Sequence, residues 1–186
     1  MKKHFKGDYQ YLKEKKRMEI LRTLFYFGLS FIIFLIGFYT TKTKANYLTI
    51  VAVLGCLPAS KSAVSTIMYL RIKECSKEFY KSMIERFKGK GSFHLYFTSY
   101  DKNFLISHLF IKDMNIIAYT EDVRIKENDF EEHIKLILSR DGKKGYLVKL
   151  YKDQQKYLQR FEQLYGVKGD LAGEEKIYSL LHSVSL

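Results

Sequence analysis

Between Thr23 and Leu70 the only charged side chains are Lys42, Lys44 and Lys61. So long an apolar stretch must be buried on all sides, by protein or by lipid. Its first part, TLFYFGLSFIIFLIGFYT at 23–40, reaches about 27 Å as a helix at ~1.5 Å per residue. That is close to the ~30 Å hydrocarbon core of a bilayer. A cleaved signal peptide also begins with basic residues. This apolar core exceeds the usual ~7–15 residues of such a peptide, however, and no small-residue cleavage site follows it. It reads as an uncleaved span.

The second part runs from Tyr47 to about Leu70. The connecting segment 41–46 is too short for anything but a turn between antiparallel helices. The expectation is a helical hairpin: a basic segment at 1–22, a first span at 23–40, an outside loop at 41–46, a second span at 47–70, and a domain at 71–186. Residues 1–22 carry eight basic against three acidic side chains, and Arg71, Lys73, Lys77 and Lys81 follow the second span. Basic residues flanking spans stay on the cytoplasmic side, so both termini are expected there, in the cell membrane. The same flanks suit anionic lipid head groups, at about 1 kcal/mol per basic residue near the surface. The segment KKHFKGDYQYLKEKKR also reads as an interfacial helix, with Phe5, Tyr9 and Leu12 on one face.

Lys61 sits inside this apolar run, with Pro58, Ser60, Ser62 and Ser65 around it. At the bilayer centre a lysine costs roughly 2.5–3.5 kcal/mol. Two placements follow: a buried lysine facing a partner, an anion or water, or an interfacial lysine on a second span that ends near Ser60. Pro58 removes one helix hydrogen bond, and the hydroxyls of Ser60, Ser62, Ser65 and Thr66 are available to the freed carbonyl or to a neighbouring helix. Gly55 and Ala59, one turn apart, offer a face for close helix approach.

The remainder reads as a small α/β domain. RIKECSKEFYKSMIERFKGKG places Ile72, Cys75, Phe79, Met83, Ile84 and Phe87 at helical spacing, and this helix is expected to continue the second span. Three strands follow at 92–100, 103–113 and 114–122, an antiparallel meander. A helix capped by Asn128 or Asp129 comes next, then a strand in KGYLVKLYK, a helix capped by Asp153 and closed by Gly166, and a last helix through GEEKIYSLLHSV. The glycines of KGKG at 88–91 read as a helix stop.

No complete catalytic set is present. Cys56 and Cys75 form no paired motif, and none of His4, His94, His108, His133 and His182 has a second ligand at helical spacing. No catalytic, cofactor or metal residues are assigned, and no cofactor is implied. His94 and His108 lie on adjacent strands within reach of each other across the sheet, and ordinary polar or half-buried positions are the expected account of both. The segment 71–186 holds 21 basic against 17 acidic residues, too balanced for a nucleic-acid footprint.

The order helix, three strands, helix, strand resembles the core of the PD-(D/E)xK nuclease superfamily. That resemblance implies a metal held by an acid at the second strand and an acid-x-lysine in the third. Here Asp101 precedes the second strand, and Asp122 is followed by Arg124 where the lysine belongs. The expectation is a membrane-anchored domain that binds, scaffolds or regulates, with a protein partner or a second copy beside it. The alternatives are an oligomeric channel or transport subunit using Lys61, and a degenerate nuclease-like domain.

Overall fold

The computed structural model describes residues 7–43, 46–99, 102–167 and 169–185. Asp101, His4 and Phe5 lie outside the described residues. The chain is a mixed helix and sheet protein in which two long apolar helices precede a four-stranded mixed sheet. It divides into two compact units, residues 12–72 and residues 1–11 with 73–186.

The first unit is a pair of helices, α1 (Tyr11–Thr41) and α2 (Tyr47–Arg71). The helix α1 begins well before its apolar run, so the basic cluster at 13–22 belongs to the same continuous helix. Residues 7–10 precede it as a turn, so no interfacial helix includes Tyr9. Asn46 caps α2 by accepting a hydrogen bond from the Thr49 N–H at 2.8 Å.

Small and polar side chains form the seam between these helices. Glu19, Thr23, Tyr26, Ser30, Ile33 and Gly37 on α1, and Ala52, Gly55, Ala59, Ser62, Thr66 and Tyr69 on α2, are among the shielded positions. They recur at intervals of three and four residues, the spacing of a coiled-coil stripe. A β-carbon built on Gly55 would stand 2.7 Å from Ser30 Oγ, and one on Gly37 would stand 2.8 Å from Leu48 Cβ. Such close backbone approach is what small residues permit between packed helices.

The second unit is the α/β domain. Its elements are α3 (Lys77–Phe87), β1 (Ser92–Thr98), β2 (Asn103–Lys112), β3 (Asn115–Tyr119), α4 (Glu127–Arg140), β4 (Leu147–Tyr151), α5 (Gln154–Tyr165) and α6 (Leu171–Val184). The sheet order is β1-β2-β3-β4. The first three strands pair antiparallel, and β4 pairs parallel with β3, with Ile117 opposite Lys149. That parallel pairing follows from the helical crossover through α4.

Helices cover both faces. On one side Phe130, Ile134 and Leu138 of α4 and Ile177 and Leu181 of α6 pack on Leu95, Phe97, Ile106 and Val148. On the other, Phe79, Met83 and Phe87 of α3 and Tyr157, Phe161 and Leu164 of α5 pack on Phe93, Phe110, Ile117 and Tyr119. The chain just before α1 belongs to this second layer. Gly7 accepts a hydrogen bond from the Phe93 N–H at 2.7 Å, and the Tyr9 ring stacks on Tyr80 at 3.8 Å.

Two expectations are corrected here. The helix α3 does not continue α2: the chain is non-helical at 72–76, and Ser76 caps a new helix by accepting from the Phe79 N–H at 3.3 Å. Glu121 fixes the break by accepting hydrogen bonds from both the Ser76 N–H and its hydroxyl. The second correction concerns α4, whose N-cap position is Lys126 with no side-chain cap, so Asn128 and Asp129 lie inside its first turn. Asp122 has already turned the chain, accepting from the Arg124 N–H at 3.1 Å.

Candidate functional site

The five residues singled out around Lys61 do not form one cluster. Ser62 is buried on the seam, and its hydroxyl lies 2.9 Å from Thr23 Oγ1, which is also 2.9 Å from Thr66 Oγ1. Ser65 is half-buried, whereas Pro58, Ser60 and Lys61 are exposed on the outside of α2. Ser60 donates to the Cys56 carbonyl at 2.8 Å, so it does not serve the Leu54 carbonyl that the proline leaves free. Ser62 and Thr66 bond across the pair instead.

These hydrogen bonds fix the level of Lys61. Thr23 opens the apolar run of α1, directly after Arg22, and it lies against Ser62 and Thr66. Deeper in the pair Ser30 faces Gly55, and Gly37 faces Leu48. Lys61 therefore sits where the basic part of α1 gives way to its apolar part. The stretch of α2 from Ser62 to Arg71 runs beside charged α1 residues, and Lys16 Nζ donates to the Ile72 carbonyl at 2.6 Å.

In the domain, His108 lies at the centre of the aromatic layer. The rings of Phe93, Tyr157 and Phe161 have centroids 4.4, 5.9 and 5.9 Å from its own. Its Nδ1 lies 2.6 Å from the Tyr157 hydroxyl. Burial raises the Tyr157 phenol well above its ordinary range, so the hydroxyl stays protonated. The Lys90 backbone carbonyl lies beside the ring without closing a hydrogen bond of normal geometry to Nε2.

Burial pushes the His108 pKa down to about 3, partly offset by the Lys90 carbonyl and reinforced by His94. A neutral, enclosed imidazole of this kind is a core element and cannot exchange protons with a substrate near pH 7. The sign of its effect on stability follows from linkage. The unfolded chain takes up a proton below about pH 6.5 and the folded chain does not until about pH 3, so stability falls as pH falls through that window by up to ~1.4 kcal/mol per unit. Urea melts of the full chain in detergent at pH 7.0 and at pH 4.5 are expected to show this slope. It should be shallower in His108→Gln.

His94 and His108 do share the interior, as their strand positions suggest, although they do not pair. The β1–β2 register passes from Phe93–His108 to Leu95–Ile106 and omits His94 and Ser107. His94 has φ +54. Across this interruption both strands invert: Phe93 and Phe110 face the α3–α5 layer, whereas Leu95 and Ile106 face the other. His94 Nε2 accepts from the Cys75 N–H at 3.0 Å, and the Tyr9 ring centroid is 5.0 Å from its own. The segment leading into α1 and the segment leaving α2 therefore meet at one buried residue.

The Cys75 thiol is no nucleophile. Burial pushes its pKa up to about 12, with Glu121 adding to the effect, and only a depressed pKa makes a reactive thiolate. Asp122 forms ion-paired hydrogen bonds to Arg124 at 2.7 and 2.9 Å, which hold its carboxyl below the usual range. Among the described residues no group of His, Cys, Asp and Glu could hold a metal ion.

A cleft of about 330 Å³ opens between the KGKG loop, the end of β2 and α6. Its polar groups are already matched: Lys112 pairs with Glu174 at 3.1 Å, the Ser92 hydroxyl lies 2.7 Å from His182 Nε2, and Lys90 stands 5.1 Å above the Tyr165 ring. The glycines of that loop serve the fold. Gly89, at φ +66, closes α3 by donating to the Met83 carbonyl at 3.2 Å, and Gly91 makes room for His108.

Comparison of the chain with protein-family models, with curated proteins and with solved structures gives no match.

Proposed function

We propose that α1 and α2 cross the cell membrane as a hairpin and hold the α/β domain at the cytoplasmic face as a binding or regulatory module. The observation that carries this reading is the outward face of the helix pair. Leu24, Phe25, Phe31, Val53 and Leu57 are 66, 66, 61, 63 and 68% exposed. Only 11 and 17% of the most apolar windows of the two helices are buried, whereas a core helix of a water-soluble protein buries most of such a face. Small polar side chains inside and large apolar ones outside suit lipid as the solvent.

The domain supports a hairpin independently. Gly7 and Tyr9, just before α1, pack in the same unit as Cys75, just after α2. Two ends held in one folded unit lie on the same side of any bilayer crossed between them, which requires an even number of crossings. The basic flanks make that side cytoplasmic.

Neither alternative gains an observation of its own. A conduit using Lys61 would have to form between copies, because Lys61 is on the outside of the pair and the seam is closed by small side chains. Within the domain, an aromatic core and matched charges suit a rigid scaffold that presents a surface to a partner. The test is extraction: membranes carrying the full chain are washed at alkaline pH and then treated with mild detergent. The protein is expected to stay in the pellet until detergent is added. Release by the alkaline wash alone would mean that the helices do not span.

A further inference from the structure

Resting on the membrane reading, we propose that Lys61 binds the phosphate of an anionic phospholipid at the rim of the bilayer. Lys61 is exposed, and among the described residues it makes no ion pair or hydrogen bond. No acidic residue occurs between Thr23 and Leu70, so the apolar part of the hairpin holds no counter-ion for it. The acid of α1 nearest in sequence to Thr23, Glu19, is 3% exposed and already lies 3.6 Å from Lys15 and 3.3 Å from Arg22. The helix pair itself therefore supplies Lys61 with no counter-anion along its apolar part.

The level of Lys61 selects the lipid as its source. The bonds from Thr23 to Ser62 and Thr66 put Lys61 at the end of the apolar run of α1. From there a flexible lysine stem brings its ammonium to the head groups. Leu54, Leu57 and Val64 are 58, 68 and 59% exposed and stand seven and four residues before and three residues after Lys61, so they share its helix face. An acyl chain lying along Leu57 and Leu54 places its own phosphate beside the ammonium. Head groups that are net anionic are favoured over zwitterionic ones, whose choline charge opposes the lysine.

The full chain in mild detergent is titrated with dioleoylphosphatidylglycerol and, separately, with dioleoylphosphatidylcholine, and bound lipids are counted by native mass spectrometry. Lys61→Gln is expected to weaken phosphatidylglycerol binding about fivefold, the effect of one basic side chain near the surface, and to leave phosphatidylcholine unchanged. Lys61→Arg should retain the preference, as should Lys144→Gln in the domain. Equal phosphatidylglycerol binding by wild type and Lys61→Gln would overturn the proposal. So would complete competition by millimolar inorganic phosphate, which would make this a free-anion site, or capture of a membrane protein whose acid replaces the lipid. A chain that binds neither lipid and stays soluble without detergent would instead refute the membrane reading itself.

Discussion

Replacing Phe161 with alanine is expected to lower the stability of the domain by about 3–5 kcal/mol, the range for truncating a buried aromatic side chain. Phe161 is 0% exposed. Its ring meets Phe110 at 4.2 Å, Phe87 at 4.4 Å, His108 at 5.9 Å and Tyr165 at 6.0 Å between centroids. The substitution leaves a cavity where α3, α5 and the sheet meet, and rings that pack on one another from several directions cannot collapse into it. Loss of that much stability is a large fraction of the ~5–15 kcal/mol folding free energy of an ordinary domain. The readout is the urea midpoint of the full chain in detergent, followed by near-ultraviolet circular dichroism of its tyrosines. Phe161→Leu, which keeps most of the volume, should lose less than half as much.

The second large effect is expected at Gly91. A β-carbon there would lie 2.4 Å from His108 Cε1 and 2.8 Å from the Leu109 carbonyl oxygen, and the residue has φ +110. Strain in a left-handed backbone costs about 1–3 kcal/mol. Displacing His108 would also break its bond to the Tyr157 hydroxyl inside the core, at about 1–3 kcal/mol. Gly91→Ala is therefore expected to destabilise the domain by about 2–6 kcal/mol. Combining it with His108→Ala should cost less than the sum of the two single losses, because the clash with the imidazole is gone while the Leu109 carbonyl and the backbone strain remain. Strict additivity of the two changes would show that Gly91 and His108 do not touch.

Much of the architecture is readable from the residues. The apolar runs locate α2 and the end of α1, although not its start at Tyr11, and turn residues with β-branched and aromatic runs delimit the strands. Asp153 caps α5 as its position suggests, accepting from the Gln155 N–H at 2.8 Å. What could not be read depends on distant partners. The gap between α2 and α3 is held by Glu121, 45 residues away from Ser76. The inversion of β1 and β2 at His94 and Ser107 leaves no pattern, because both sheet faces are buried and apolar residues occur on each.

The seam of the hairpin was legible in part. Gly55 and Ala59 are visible as a small pair, but they belong to a series from Ala52 to Tyr69 that only the matching series on α1 makes meaningful. The position of Lys61 beside the start of the apolar run of α1 needed that pairing too, because only the Thr23 bonds to Ser62 and Thr66 align the two helices there. The same contacts show why the residues grouped around Lys61 separate. Ser62 serves the seam, whereas Lys61 and Pro58 face outward.

The hairpin is tested most directly by labelling two single cysteines in sealed membrane vesicles of known sidedness. Cys56 and Cys75 are replaced by alanine, and a cysteine is placed at Thr43 in the connecting loop or at Lys144 in the domain, both exposed. A membrane-impermeant maleimide is expected to label Thr43→Cys only from the outer side and Lys144→Cys only from the cytoplasmic side. Labelling of both from the same side would contradict a hairpin that crosses the membrane twice.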